Sequence, residues 1–325
     1  MEVDEANETS ETEEEEEEMG ESACEDGEGI EVEDLDLDLD ACDVDLNHCR
    51  LRTVGSIDWA RFVGVESLCL RNNLISKLEG FEPLAHSLKE LDIRDNLLTK
   101  IENLEPLRPS LEILEMSYNR FRRIENLDSL TNLKKLFLVH NKLSKIENLE
   151  TLVHLTYLEL GDNRIRRIEN ISALVNLEQL FLGKNKIAKL EHLSHLKKLR
   201  VLSMQSNRLT VIEGLDELSA LEELYVSHNG IETLAGLDSN FRLTTLDVAG
   251  NRIAKIENVH HLADLDEFWC NNNNIDNWAD VDSIACLSNL QCIYLEHNPL
   301  AKDPMYRKKI KLALPRINQI DATLA

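Results

Sequence analysis

Residues 133–146 read LKKLFLVHNKLSKI, a stretch in which leucine and asparagine hold fixed positions. The pattern is LxxLxLxxNxL with an isoleucine or leucine three residues later, and further copies begin at Leu155, Leu177, Leu199, Leu221, Leu243 and Leu265, a period of 22. The asparagine alone marks eleven copies, at Asn73, Asn96, Asn119, Asn141, Asn163, Asn185, Asn207, Asn229, Asn251, Asn273 and Asn298. A weaker twelfth copy over residues 44–54 precedes them, with Cys49 in the asparagine position. Repetition at this period predicts a solenoid of stacked coils.

Each copy is expected to form one coil of a parallel solenoid. The two leucines of the LxL segment lie two residues apart, so both point inward from a short strand while the residue between them points outward. The asparagine amide is both donor and acceptor, and it is expected to bond main-chain groups of its own and the adjacent coil. Seven residues further on stands Asn, Gly or His, at Gly80, Asn103, Asn126, Asn148, Asn170, His192, Gly214, Gly236 and Asn258. These types suit a left-handed turn that leads into a short convex segment.

The predicted fold class is α/β: a leucine-rich-repeat solenoid with a parallel β-sheet on its concave face, short helices or 3₁₀ segments on its convex face, and a C-terminal cap. We expect about 12 repeats of 22–25 residues over 41–300 and the cap over 301–325, where residues 306–314 have the spacing of an amphipathic helix. At the other end, Trp59, Phe62 and Val63 are expected to pack beneath the first coil.

The net charge of −26 is concentrated at the N-terminus, because residues 1–40 contain 21 Asp or Glu and no Lys or Arg. We predict a disordered acidic tail there, since this composition cannot bury enough apolar surface to offset chain entropy. A solubilising role is favoured over attraction of a basic partner. The remaining 40 acids and 35 bases leave the folded part at −5, which disfavours binding to nucleic acid.

The sequence contains no catalytic motif, so an enzyme is not predicted. The histidine pairs His192 with His195 and His260 with His261 fall in convex segments, where surface histidines are favoured over metal ligands. We therefore expect no metal and no cofactor. Seven cysteines without a CxxC pair indicate a reducing compartment, and neither a signal peptide nor a membrane span is expected.

The outward residues between the strand leucines form a column down the concave face, called here the concave column. Its members are Cys69, Asp92, Glu115, Phe137, Glu159, Phe181, Ser203, Tyr225, Asp247, Trp269 and Tyr294. Aromatic residues alternate from Phe137 to Trp269, and at about 4.8 Å per strand they should stand near 10 Å apart. Five aromatic residues in such a column predict a contact surface. The Asp and Glu residues of the same column indicate that the partner is a folded protein with a basic, partly apolar surface.

The repeat form LxxLxLxxNxIxxIENL and the C-terminal stretch NPLAKDPMYRKKIKLALPRINQIDATLA, residues 298–325, resemble the leucine-rich-repeat regulatory subunits of protein phosphatase 1, the regulatory subunit 7 family. The resemblance covers nearly the whole chain beyond the acidic tail. It implies a non-enzymatic scaffold that clasps the phosphatase catalytic subunit and controls its activity, maturation or localisation. It also implies residence in nucleus and cytoplasm and a ternary complex with inhibitor 3.

By motif position, the family's binding residues correspond to Phe137, Glu159, Phe181, Asp247, Glu267, Trp269 and Tyr294. Glu115 stands where the family can carry Asp, and Tyr225 joins the predicted site as a further aromatic of the concave column. The alternative function is a scaffold in a ribonucleoprotein complex of the spliceosomal type, since related repeats occur there. A partner with an RNA-binding fold would distinguish that alternative.

Overall fold

The computed structural model describes residues 38–62 and 64–325. Most of the predicted acidic tail, residues 1–37, and Val63 lie outside the described residues. The described chain forms one 14-stranded sheet in which strand order follows sequence order. Neighbours are parallel from β1 to β13, and the last strand pairs antiparallel to β13. The strands are β1 Asp43–Asp45, β2 Ser67–Cys69, β3 Glu90–Asp92, β4 Ile113–Glu115, β5 Lys135–Phe137, β6 Tyr157–Glu159, β7 Gln179–Phe181, β8 Val201–Ser203, β9 Glu223–Tyr225, β10 Thr245–Asp247, β11 Glu267–Trp269, β12 Cys292–Tyr294, β13 Gln319–Ile320 and β14 Thr323–Leu324.

The leucine pattern fixes which face of each strand is buried. In the coil that contains β5, Leu136 and Leu138 are fully buried, whereas Phe137 between them is partly exposed. Leu143, Ile146 and the later apolar positions are also buried, so one continuous core runs the length of the stack. The predicted leucine-rich-repeat solenoid with a parallel concave sheet is confirmed.

The asparagines form the predicted ladder. Asn141 Nδ2 donates to the carbonyl oxygen of Met116 in the preceding coil at 3.2 Å and to that of Leu138 in its own coil at 3.2 Å, while its Oδ1 accepts from Phe121 N at 3.0 Å. The Oδ1 atoms of all eleven ladder asparagines accept a backbone N–H from the coil before. Each amide therefore satisfies main-chain groups of two coils at once.

The left-handed turns occur where the sequence predicts them. All nine residues seven positions beyond a ladder asparagine have positive φ, from Gly80 at +82° to Asn258 at +57°. Where the residue is asparagine it also binds the coil before, as in Asn170 Nδ2 to Ile146 O at 2.7 Å. At Gly236 an added Cβ would collide with the Ile212 carbonyl oxygen, so glycine permits the closest approach of two coils.

The convex segments differ from coil to coil. Three-residue 3₁₀ segments occur at Trp59–Arg61, Glu82–Leu84 and Glu105–Leu107, and helix α1 spans Trp278–Ser283 ahead of a further 3₁₀ turn. These elements lie in the coils of 23–25 residues, whereas the 22-residue coils between them contain only turns in the described chain. The expected short helices and 3₁₀ segments therefore occur on the convex face in the longer coils, and turns replace them in the 22-residue coils.

The C-terminal segment covers the last coil. After a 3₁₀ turn at Pro299–Lys302, helix α2 spans Tyr306–Ala313, close to the predicted boundaries. Ile310, Ile317 and Ile320 are buried against the stack. Asp321 follows β13 in register with Tyr294, and its Oδ1 accepts from Leu295 N at 2.9 Å and Glu296 N at 3.0 Å, so its carboxylate bonds the main chain that follows β12. At the opposite end, Trp59 is buried and stacks beside Phe62 at 5.4 Å.

Candidate functional site

The structure places the predicted site residues on one concave surface. Eight of the nine are the third residues of the strands from β4 to β12 except β8, where Ser203 stands, and Glu267 is the first residue of β11. Those with partly exposed side chains are Glu115, Phe137, Glu159, Phe181, Tyr225, Glu267, Trp269 and Tyr294. Asp247 is buried at 5% exposure. None of the aromatics of this surface belongs to the hydrophobic core, so their rings are available for contact.

The aromatics gather into two clusters instead of standing at even intervals. In the N-terminal cluster, the Tyr157 ring lies 4.8 Å from that of Phe137 and 5.1 Å from that of Phe181. Tyr157 is the first residue of β6 and fills the space between two rings that the concave column alone would leave apart. Its hydroxyl donates to Glu159 at 2.9 Å, which fixes the orientation of this carboxylate between the rings.

The C-terminal cluster contains Tyr225, Trp269 and Tyr294. The rings of Tyr225 and Trp269 approach to 6.2 Å although two strand steps separate their backbones, and Trp269 contacts Tyr294 at 5.9 Å. The predicted spacing near 10 Å is wrong, because the rings lean together over the short side chain of Asp247. The same leaning explains why Asp247, expected to face solvent, is buried.

Ser203 separates the two clusters. It lies on β8 between Phe181 and Tyr225 and is buried at 6% exposure. Among the described side chains no ring contact crosses this point, so the surface offers two aromatic patches with a polar step between them.

Two carboxylates of this surface, those of Glu115 and Asp247, are partly removed from solvent. Burial raises the pKa of Glu115, although Ser117, whose backbone N donates to its Oε1 at 2.7 Å, acts in the opposite direction. Burial likewise raises the pKa of Asp247, against bonds from Ser227 and from Ala249 N at 3.0 Å. A cationic partner would stabilise both charged forms, so its binding favours ionisation of these groups.

Trp269 carries an unsatisfied donor. Its indole Nε1 is buried and has no hydrogen-bond acceptor within the described residues. The thiol of Cys292 beside it is only a weak acceptor and remains protonated, since burial raises the pKa of Cys292 to about 11. A buried N–H without a strong acceptor costs free energy, and this atom becomes accessible to another protein only if the indole ring moves.

A further aromatic group at the edge of the concave face escaped the sequence analysis. The Arg94 guanidinium lies 4.5 Å from the Tyr118 ring centre, and Tyr118 stacks on His140 at 4.7 Å. His140 Nδ1 in turn lies 2.8 Å from the Asp162 carboxylate. These residues lie one or two positions before the ladder asparagines. Comparing those two positions from repeat to repeat would have revealed them in the sequence.

Nothing in the described ranges resembles a metal centre. No group of three or more His, Cys, Asp or Glu side chains in residues 38–62 and 64–325 is arranged to hold a metal ion. His260 and His261 contact each other edge to face, and His261 Nε2 lies 2.9 Å from the Leu237 carbonyl oxygen, as expected of convex-side histidines. Over the same residues, no helix is long and apolar enough to cross a membrane.

Family models match the repeats of this chain. The model described as "Leucine-rich repeat" matches residues 219–323, and the model "Leucine Rich repeats (2 copies)" matches 109–151, 153–195 and 197–239. Among solved structures, a leucine-rich-repeat protein of Leptospira interrogans is 27% identical, with a TM-score of 0.72 over 80% of this chain and 67% of that chain. The functional domain of InlJ from Listeria monocytogenes is 26% identical, with a TM-score of 0.65 over 79% and 53%.

Short stretches of the chain are similar to curated relatives. One stretch of 34 residues is 68% identical to Protein phosphatase 1 regulatory subunit 7 of Danio rerio, and one of 35 residues is 63% identical to the protein of the same name from Homo sapiens. The two stretches cover 10% and 11% of this chain, and each spans only 10% of the length of the relative that it matches.

Proposed function

We propose that this chain, a leucine-rich-repeat protein, is a regulatory or scaffold subunit that binds the catalytic subunit of protein phosphatase 1 through its concave face. In this role it controls the activity, maturation or localisation of the enzyme and performs no chemistry of its own. The observation that carries the proposal is the pair of partly exposed aromatic clusters set among carboxylates. Such a surface suits a folded partner with a basic, partly apolar face.

Two further features support this partner. The local similarity to relatives named as phosphatase regulatory subunits supports protein phosphatase 1 as the partner. The concave strands are negatively charged, which favours a positively charged partner. At the first and third positions of the strands from β2 to β12, seven residues are acidic and only Lys135 is basic. A negative face accelerates encounter with a positive one and rejects partners of like charge.

The aromatic clusters are expected to supply most of the binding free energy. Tyr and Trp anchors dominate measured interface energetics, and both clusters present such rings on the concave face. We extend the proposal to residence in nucleus and cytoplasm and to a ternary complex with inhibitor 3, both of which follow from the family resemblance alone.

The direct test compares Trp269→Ala with Phe241→Ala in binding to the purified phosphatase 1 catalytic subunit. Phe241 is the matched control, because it is 59% exposed and lies outside the concave strands. Trp269→Ala should weaken binding at least about 30-fold, equivalent to about 2 kcal/mol, by removing a central aromatic anchor. Phe241→Ala should leave the affinity unchanged.

Circular dichroism and thermal unfolding of both variants provide the folding control. Equal affinities of the two variants, with both folded, would contradict the proposed binding face. Failure of the unmodified chain to bind the phosphatase would contradict the proposed partner. Retention instead of a protein with an RNA-binding fold by the full chain would favour the ribonucleoprotein alternative.

A further inference from the structure

A second charged surface lies away from the concave face. It consists of the residues one, three and four positions after the ladder asparagine in the five coils from Asn119 to Asn207. Eleven of these fifteen residues are Lys or Arg, none is acidic, and all eleven are exposed. We call this surface the basic belt; its cations are Arg120, Arg122, Arg123, Lys142, Lys145, Arg164, Arg166, Arg167, Lys186, Lys189 and Arg208.

The basic belt is confined to the middle of the solenoid. The same three positions after Asn229, Asn251 and Asn273 hold two basic and two acidic residues among nine, and after Asn73 and Asn96 they hold two lysines among six. The fold requires only that these positions be exposed, so the repeat pattern does not explain the concentration of cations. A surface with one sign over five adjacent coils, about 20 Å long, is a local property of this sequence.

The cations of the basic belt are only partly neutralised by their surroundings. A column of glutamates borders it on the convex side, at Glu125, Glu147, Glu169, Glu191 and Glu213. The eleven cations and these five glutamates together carry a formal charge of +6. Only Arg123, with Glu147 at 3.0 Å, forms an ion pair within 4 Å among the described residues of the belt. The remaining cations are free to meet an acidic ligand.

The chain itself contains an acidic segment of matching size. Residues 1–37 hold 19 Asp or Glu and no Lys or Arg, and six consecutive glutamates occupy residues 13–18. The concave face carries the same sign as this segment, so the two repel each other. The basic belt is the surface of opposite sign.

We propose that the acidic N-terminal segment, residues 1–37, docks in cis on the basic belt. The contact is electrostatic and follows the edge of the stack, so it leaves the concave face open to its partner. It also covers the basic belt against other acidic molecules. Because the segment is tethered to the same chain, its effective concentration at the belt is on the order of millimolar, which lets individually weak charge pairs act together.

The length of the tether allows this contact. The 20 residues from Glu18 to Asp38 can span at most about 70 Å when extended. The basic belt extends from the coil of β4 to the coil of β8, which lie three and seven strand steps from β1, about 14 Å and about 34 Å. The glutamate run can therefore reach every coil of the basic belt.

The test is zero-length carbodiimide coupling of carboxylates to lysines in the full chain, followed by mass spectrometry of links that involve residues 1–37. One coil contains both the probes and their controls: Lys186 and Lys189 belong to the basic belt, whereas Lys197 and Lys198 lie just before the next strand on the opposite edge. Both pairs belong to one coil, and Lys198 is the matched control because it forms no ion pair among the described residues, whereas Lys197 is paired with Glu217. Links to the belt pair should exceed those to the control pair at least about fivefold at low salt.

Two perturbations complete the test. The preference should disappear at 0.5 M salt, where charges are screened within about 4 Å. The triple variant Arg164→Gln, Arg166→Gln, Arg167→Gln should lower the yield of links at Lys186 and Lys189 severalfold, whereas the triple variant Lys197→Gln, Lys198→Gln, Arg200→Gln should not.

Equal yields of links on both edges of the stack would overturn the proposal. Links between isotopically light and heavy copies in a mixed sample would overturn docking in cis. No phosphatase is present, so the outcome is independent of the proposed function.

Discussion

The asparagine ladder and the concave column run side by side through the same coils, four residues apart, yet their chemistry is opposite. The ladder repeats one residue type eleven times, nine of them buried, and each asparagine is bonded to two coils, as Asn141 is. The concave column uses seven types over the same eleven coils, and most of its members are partly exposed. The residue type is constant at the ladder position because the fold requires it there, and it varies in the concave column because the fold does not constrain it. A binding surface specific to this protein is therefore expected among the variable, exposed positions of the repeat.

The largest effect should come from breaking the ladder. Asn163→Ala removes three donated bonds, to Leu138 O, Leu160 O and Gly161 O, and the bond that Leu143 N donates to its Oδ1. Several buried main-chain groups would lose their partners, so the free energy of unfolding should fall by more than about 3 kcal/mol in urea titration.

The control for the ladder is an asparagine of the same chain at the surface. Asn132 is exposed and donates to Pro109 O at 3.1 Å on the edge of the stack. Asn132→Ala should change stability by less than about 0.5 kcal/mol. Similar losses for both variants would show that the ladder is not the distinctive element of the fold.

A medium effect, with opposite signs on stability and binding, is expected at Asp247. Burial raises its pKa, so between the unfolded and folded pKa values the folded state binds more protons, and stability falls as pH rises through that window. Asp247→Asn removes the buried charge and keeps an acceptor for Ala249 N. The unfolding midpoint at neutral pH should stay equal or rise, while the affinity for the phosphatase falls about tenfold.

Asp238→Asn is the matched control for Asp247→Asn, since Asp238 is exposed and lies outside the concave strands. It should leave both quantities unchanged. A marked loss of stability in Asp247→Asn would mean that this carboxylate serves the fold and not the partner.

The smallest effect is expected at Lys135, the only base in the two strand positions that face the concavity. Lys135→Ala should raise the association rate with a basic partner about twofold at low salt, by making the face more negative, and the gain should vanish at high salt. Stopped-flow measurement can compare it with Lys255→Ala, the same charge change at an exposed position outside the concave face. A slower association for Lys135→Ala would indicate an acidic partner.

The sequence was sufficient for every feature that depends on one coil and its neighbour. The ladder, the nine left-handed turns and helix α2 followed from repeat positions, because burial and backbone conformation recur with them. The packing of rings did not follow. Whether Tyr225 and Trp269 lean together depends on the size of Asp247 between them, and the link between Phe137 and Phe181 depends on Tyr157 in another column.

Two other features also required coordinates. One is the restriction of convex helical and 3₁₀ segments to the coils of 23–25 residues, because the spacing of the asparagines gives the length of a coil but not the conformation of its convex segment. The bonds from Leu295 N and Glu296 N to the Asp321 carboxylate lie beyond the last repeat motif, which ends at Asn298, so the repeat pattern does not predict them.

The most direct test of the binding face uses the three tryptophans of the chain, which report on three regions. Trp59 is buried beneath the first coil, Trp269 lies in the C-terminal aromatic cluster, and Trp278 packs beside Tyr306 of α2. In chain labelled with fluorotryptophan, fluorine NMR should show the Trp269 resonance shift or broaden on addition of unlabelled phosphatase catalytic subunit, while the Trp59 and Trp278 resonances stay in place. A complex that forms with the Trp269 resonance unmoved would contradict binding through the concave face.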